Sequence, residues 1–149
     1  WEGGAVELPE GECNAAFNPE AVVKVTDVLL ASHENTAQII DARPAARFNA
    51  EVDEPRPGLR RGHIPGALNV PWMELVREGE LKTTDELDAI FFGRGVSYDK
   101  PIIVSCGSGV TAAVVLLALA TLDVPNVKMY DGAWSEWGAR ADLPVEPLK

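Results

Sequence analysis

The chain has 149 residues, of which 46% are apolar and 24% are charged, and these proportions suit one compact globular domain. Its formal net charge of −10 argues against nucleic acid or an anionic membrane as a partner. The longest apolar stretch, 110–122, is shorter than the roughly 20 residues that a membrane-spanning helix needs.

Residues 1–16 combine Gly, Pro and Glu without periodicity and predict a linker or an extended arm, so the folded domain is expected at 17–149. Downstream, short β-rich runs alternate with helical patterns. The predicted elements are a strand at 22–25, a helix capped by Thr26 and ending near His33, a strand at 38–41, one helical turn at 44–49, a loop at 51–62, a strand at 67–70, helices at 72–77 and 84–92, a strand at 102–105, a helix at 110–122, a strand at 127–130 and a helix at 133–140.

Alternating strands and helices predict an α/β fold in which helices cover both faces of a parallel sheet. The helix at 110–122 is apolar nearly all round and is expected to lie in the interior. Ligands of such sheets bind beyond the carboxyl ends of the strands. Asp41, Cys106 and Asp131 each stand at or just past a strand end, so we expect them at one rim.

The two cysteines, Cys13 and Cys106, lie far apart, and the sequence has no CxxC pair and no closely spaced histidines. We therefore expect neither a disulfide framework nor a metal site, and no cofactor. Unpaired cysteines suit a reducing, intracellular compartment, either the cytoplasm or a mitochondrion.

Cys106 opens a glycine-spaced turn directly after the apolar run 102–105. If the chain turns back at Gly107 and Gly109, the amide N–H groups of 107–111 converge on the sulfur, and the next helix points its positive end at it. Such a site favours a thiolate and predicts a nucleophile. The alternative is a buried small apolar residue, a frequent fate of free cysteines.

Five of the eight arginines lie in one short stretch of the chain, which predicts a binding site for a small anion. They are Arg43, Arg47, Arg56, Arg60 and Arg61. The alternative is a solvated loop that is neutralised by Glu51, Asp53 and Glu54.

Five motifs, in this order, resemble the rhodanese-like sulfurtransferase family, and most closely the C-terminal catalytic half of its two-domain members. The resemblance runs from about Phe17 to Pro147. The motifs are Asp41-Ala-Arg43-x-x-x-Arg47-Phe48, Glu54-Pro-Arg56, Gly62-His-Ile-Pro-Gly-Ala67 with Asn69, Cys106-Gly-Ser-Gly-Val-Thr111, and Tyr130-Asp-Gly-Ala-Trp134-Ser-Glu-Trp137. The resemblance implies a three-layer α/β/α domain with a central parallel sheet and a cysteine that carries sulfur as a persulfide.

The residues after the cysteine separate subclasses of this family. Thiosulfate-using members carry basic residues there, whereas Gly107 and Ser108 resemble the members that use 3-mercaptopyruvate. The family's phosphatase relatives end a longer loop in an arginine, and Ala112 stands in its place, so we discount phosphoryl transfer.

The resemblance also implies roles for individual residues and partners. Cys106 and Ser108 are expected to be catalytic, Arg47, Arg56, Gly107, Gly109, Val110 and Thr111 to bind substrate, and Asp41 and Arg43 to support the site. Arg60 and Arg61 are interpreted as solvated. The implied partners are a small anionic sulfur donor and a thiol acceptor such as thioredoxin or a small thiol.

Three points stay open. Thiosulfate could be the donor for the same thiolate, and the domain could instead be a sulfur-carrying or regulatory module without turnover of its own. Residues 1–7 faintly echo 137–146, which favours a similar domain upstream of this one.

Overall fold

The computed structural model describes residues 11–147 except Cys13, so most of the predicted arm and one of the two cysteines lie outside the described residues. Within the described part, the strands are β1 (Val22–Val23), β2 (Gln38–Asp41), β3 (Leu68–Asn69), β4 (Val76–Arg77), β5 (Glu80–Leu81), β6 (Ile102–Ser105) and β7 (Val127–Tyr130). The α-helices are α1 (Val25–Glu34), α2 (Ala45–Phe48), α3 (Thr84–Gly93), α4 (Ala112–Thr121) and α5 (Ala133–Trp137).

Five strands form one parallel sheet in the order β1-β7-β6-β2-β3. The register pairs Asp41 at the end of β2 with Ser105 at the end of β6. The carboxyl ends of these two central strands are therefore level, and the residue after Ser105 emerges beside the end of β2. The small hairpin β4–β5 pairs separately and antiparallel.

Alternation along the central strands fills two cores, one on each face of the sheet. Ile39 and Ile103 pack with residues of α1 and α5 on one face. Ile40 and Val104 pack with residues of α3 and α4 on the other face. Because both faces are covered by helices, the expected three-layer α/β/α fold is confirmed.

The predicted bounds of β2, β6 and β7 are confirmed, whereas several helix predictions are wrong. Helix α1 is not capped by Thr26; it begins at Val25, and the N–H of Lys24 donates to the Asp27 carboxylate at 2.9 Å. The Asp27 carboxylate thus binds the backbone N–H of the residue before the helix, and no described side chain caps the N–H groups of the first turn.

The segment 72–77 is not a helix. A 3-10 turn ends at Leu75, and the chain then enters the hairpin β4–β5. Glu78 and Gly79 both have positive φ, 54° and 88°, which is the backbone of a tight two-residue hairpin turn. The tight turn that Gly79 permits therefore decides the local structure, and the helical pattern before it does not.

The helix predicted at 110–122 begins at Ala112 and is not interior all round. Val115, Ala118 and Leu119 are buried, but Leu117 is 58% exposed. Helix α4 lies in an outer layer, where the sheet and the 3-10 turn that ends at Leu75 cover one side of it. Among the described residues no helix has the length and apolar character to cross a lipid bilayer.

Candidate active site

Cys106 is held at the carboxyl end of β6 by the beginning of α5. The N–H of Trp134 donates to the Cys106 carbonyl at 2.9 Å, and the N–H of Ser135 donates to the Gly107 carbonyl at 3.0 Å. Ala133, just before these donors, is buried and has a φ of +54°, an unfavourable value for alanine. This turn aims two consecutive N–H groups at the cysteine loop and fixes its backbone.

The sulfur of Cys106 accepts a hydrogen bond inside its own loop. The N–H of Gly109 donates to Cys106 Sγ at 3.1 Å, and the thiol-bearing residue is 1% exposed. Gly109 has a φ of +85°, and a Cβ there would lie 2.9 Å from an Asp131 carboxylate oxygen. The turn therefore requires glycine. The amide N–H groups of 107–111 were expected to converge on the sulfur. Among the described residues, the N–H of Gly109 is the one of these five that forms a hydrogen bond to it.

Four charged side chains form a cluster beside the loop, namely Asp41, Arg43, Arg47 and Glu54. The fully buried Arg43 guanidinium donates to Asp41 at 2.6 Å, to Glu54 at 2.8 Å and to the Gly62 carbonyl at 2.7 Å. It also lies 4.3 Å from the centre of a Trp134 ring. Arg43 is thus committed to structure, and its charge is compensated by the two carboxylates.

Glu54 links this buried cluster to the cavity beside the loop. Its side chain is 1% exposed and accepts from both Arg43 and Arg47, including a short contact with Arg47 Nη2. The interpretation of Glu54 as a neutraliser of a solvated loop is therefore wrong. A buried carboxylate between two guanidinium groups instead fixes the direction of Arg47.

A cavity of about 190 Å³ brings together several of the expected site residues. It is lined by Arg47, Glu54, Pro55, Arg56, Leu59, Gly107, Ser108 and Thr111. Arg47 lies so close that a Cβ on Gly107 would be 2.8 Å from Arg47 Nη2. Two guanidinium groups facing a loop without basic side chains suit a small ligand with one carboxylate.

Other expected residues lie apart from this cavity. Val110 does not line it and is 74% exposed, and Gly109, which is buried in the loop, does not line it either. Asp41 faces Arg43, and Asp131 is exposed beyond β7. A larger cavity of about 670 Å³ lies between α1 and the amino ends of β6 and β7, away from the cysteine loop.

The two arginines that were interpreted as solvated differ from each other. Arg61 forms a surface ion pair with Asp53 at 2.6 Å. Arg60 is not solvated, because its guanidinium donates to the backbone carbonyls of Trp137, Gly138, Arg140 and Leu143. These bonds satisfy carbonyls where α5 ends, which explains why the helix predicted to reach Arg140 stops at Trp137.

Sequence reasoning missed Ser135. Its hydroxyl donates to the Gly107 carbonyl at 2.7 Å and accepts from Arg56 Nη1 at 3.0 Å. The partners are far apart in the chain, and a serine early in a helix has many ordinary reasons to be there. The sequence held no signal for this contact.

Comparison with known proteins places the chain in a family. The rhodanese-like domain matches residues 24–140. A protein of Escherichia coli (strain K12) named 3-mercaptopyruvate sulfurtransferase is 97% identical over 148 residues, which are 99% of this chain and 53% of that protein. A protein of Arabidopsis thaliana named thiosulfate/3-mercaptopyruvate sulfurtransferase 1, mitochondrial, is 40% identical over 134 residues, 89% of this chain and 35% of that protein.

A solved structure agrees with these relatives. The crystal structure of a 3-mercaptopyruvate sulfotransferase from Escherichia coli matches with a TM-score of 0.75 and 94% sequence identity, covering 91% of this chain and 50% of that one. The chain spans about half the length of the curated relatives it matches. On the match over 24–140 and the parallel sheet that carries the cysteine loop, the chain belongs to the rhodanese-like domain family.

Proposed function

We propose that this domain carries the active site of a sulfurtransferase, which moves sulfane sulfur from 3-mercaptopyruvate to a thiol acceptor or cyanide through a persulfide on Cys106. The observation that carries the proposal is the cavity in which Arg47 and Arg56 face Gly107 and Ser108 beside the cysteine loop. The names of its relatives, in which 3-mercaptopyruvate recurs, support the same donor.

The donor is a 2-oxo acid with one carboxylate and one thiol. Its carboxylate is bound by Arg47 and Arg56, whose planar guanidinium groups match it in a bidentate way. Arg47 is held by Glu54 and Arg56 by Ser135, so both cations are oriented before the ligand arrives. Binding in this direction places the donor sulfur toward the cysteine loop.

In the first half-reaction, the Cys106 thiolate attacks the donor sulfur. A sulfur–sulfur bond forms while the carbon–sulfur bond of the donor breaks, and the electron pair of the broken bond passes to carbon. The resulting enolate takes up a proton and leaves as pyruvate. Ser108, which is exposed and lines the cavity, is the proposed relay for that proton.

In the second half-reaction, an acceptor thiolate or cyanide attacks the outer sulfur of the persulfide. The sulfur–sulfur bond breaks, and its electron pair returns to Cys106, which is again a thiolate. Thioredoxin or a small thiol is the proposed acceptor. We include a neighbouring rhodanese-like domain in the proposal because the curated relatives are about twice as long as this chain.

Incubation with 3-mercaptopyruvate or thiosulfate, followed by mass spectrometry of the Cys106 peptide, tests this proposal. We expect one added sulfur atom and a kcat/KM that favours 3-mercaptopyruvate. The Cys106→Ser variant should remain folded and gain no sulfur. A kcat/KM for thiosulfate equal to or above that for 3-mercaptopyruvate would refute the donor assignment, and a persulfide on Cys13 would refute the nucleophile.

A further inference from the structure

The helix α5 residue Ser135 joins the cysteine loop to an arginine of the proposed substrate site. Its hydroxyl donates to the Gly107 carbonyl at 2.7 Å and accepts from Arg56 Nη1 at 3.0 Å. A hydroxyl has one proton and two lone pairs, so both bonds form at once and each polarises the other. One side chain therefore connects the Arg56 guanidinium to the cysteine loop.

We infer that Ser135 is a positioning residue that orients the Arg56 guanidinium toward the carboxylate of the sulfur donor. This inference rests on the proposed function, because it deepens the role of the same cavity. Ser135 does not itself line the cavity, and the family resemblance gave it no role, although it lies within the motif 130–137. It acts through Arg56 rather than on the reacting atoms.

The contrast with Arg47 shows why Arg56 needs such a partner. Arg47 is anchored by the buried carboxylate of Glu54. Arg56 is exposed, and among the described residues the hydrogen bond that its side chain forms is the bond to Ser135. A free arginine side chain samples many rotamers, and ordering it on binding weakens the affinity.

Removal of the hydroxyl leaves the loop anchored. In Ser135→Ala, the N–H bonds from Trp134 to the Cys106 carbonyl and from Ser135 to the Gly107 carbonyl persist, because they are main-chain bonds. The thiol should therefore keep its surroundings while Arg56 loses its acceptor. If Ser135 had only a structural role, its replacement would change the surroundings of the thiol and the orientation of Arg56 together.

Two alkylating reagents measure how strongly nearby cations attract an anion to Cys106, and the measurement needs no catalytic turnover. Iodoacetate carries a carboxylate and iodoacetamide is neutral, so the ratio of their rates at Cys106 reports the pull of nearby cations on an anion and corrects for thiol reactivity. The alkylation rates are measured by mass spectrometry of the Cys106 peptide, with the full-length protein as the sample. The KM and kcat for 3-mercaptopyruvate are measured on the same variants.

The variants are Ser135→Ala, Ser135→Thr, Arg56→Ala and the double variant Ser135→Ala with Arg56→Ala. Ser32→Ala is the matched control, since the Ser32 hydroxyl, also on a helix, donates to the Pro65 carbonyl at the same 2.7 Å and belongs to α1. Ser135→Ala should lower the rate ratio and raise KM by about three- to tenfold, as expected for losing a hydrogen bond to a partly exposed charge, with kcat retained. Ser135→Thr should restore most of both values.

The double variant decides whether Ser135 acts through Arg56. We expect it to match Arg56→Ala, because the serine then has no arginine to orient. Additive losses, an unchanged ratio in Ser135→Ala, or equal losses in Ser32→Ala would overturn the inference. An unchanged ratio in Arg56→Ala would overturn it too, since Arg56 would then not guide anions. If the protein accepts no sulfur from 3-mercaptopyruvate, the proposed function fails, and the alkylation ratios still decide the role of Ser135.

Discussion

Replacing Glu54 by Gln should loosen both the fold and the proposed substrate site. Glu54 Oε1 accepts from Arg43 Nη1 and Arg47 Nε, and Oε2 accepts from Arg47 Nη2. A glutamine retains one acceptor oxygen and presents an NH₂ group in place of the other, so at least one guanidinium faces a donor. The charge of the cluster also rises by one, because one carboxylate no longer opposes the two arginines.

The expected loss of stability follows from burial. Removing one partner of a buried ion pair costs about 3–5 kcal/mol, and the lower end applies here because Arg43 keeps Asp41 and Arg47 can turn toward water. For a domain of this size, a loss of about 3 kcal/mol lowers the melting temperature by roughly 6–12 °C. KM for 3-mercaptopyruvate should rise as well, since Arg47 is no longer held.

Thermal unfolding and steady-state kinetics of Glu54→Gln check both effects. Asp53→Asn is the matched control, because Asp53 is the neighbouring carboxylate, is 82% exposed and also pairs with an arginine, Arg61. A surface pair of this kind contributes at most about 1 kcal/mol. If Glu54→Gln melts within about 2 °C of Asp53→Asn, the buried cluster does not stabilise the fold as argued.

Three further predictions concern other parts of the molecule. Arg60→Ala should lower the free energy of unfolding by about 2–3 kcal/mol in urea titrations, because several carbonyls lose a charged donor, and should leave KM unchanged; a raised KM with normal stability would contradict this. Gly107→Ala should raise KM and leave the melting temperature nearly unchanged, because its Cβ displaces only the end of the Arg47 side chain; an unchanged KM would contradict the close approach. Hydrogen bonds from the Arg77 guanidinium and then from the backbone and hydroxyl of Thr83 lower the pKa of Glu86 from 4.5 to about 2 in the folded chain, so the stabilisation is present above pH 4.5 and is lost as the pH falls toward 2. Thermal unfolding of Glu86→Gln should therefore show a flatter decline across that range, and a decline as steep as that of the unmodified protein would refute this assignment.

The β-rich segments 38–41, 102–105 and 127–130 were sufficient to place β2, β6 and β7 with their observed bounds. β2 and β6 are buried on both faces, as central strands of a parallel sheet are, so their signal is strong over a few residues. Shorter or edge elements were less predictable. The apolar residues of the segment 72–77 fit a helix and also fit a turn followed by a hairpin strand, so their spacing alone did not distinguish the two.

The sequence by itself determined the parallel α/β architecture, the place of Cys106 at the end of β6, and the glycine-spaced turn that follows it. These features depend on neighbours in the chain, where periodicity and backbone geometry act directly. Only the tertiary structure decided which charged residues are committed to the fold. Arg60 is bound by carbonyls at the end of α5, and Ser135 meets Arg56 from 79 positions away. The energy of a charge depends on its burial and on its partners, and both are set by segments that meet only when the chain is folded.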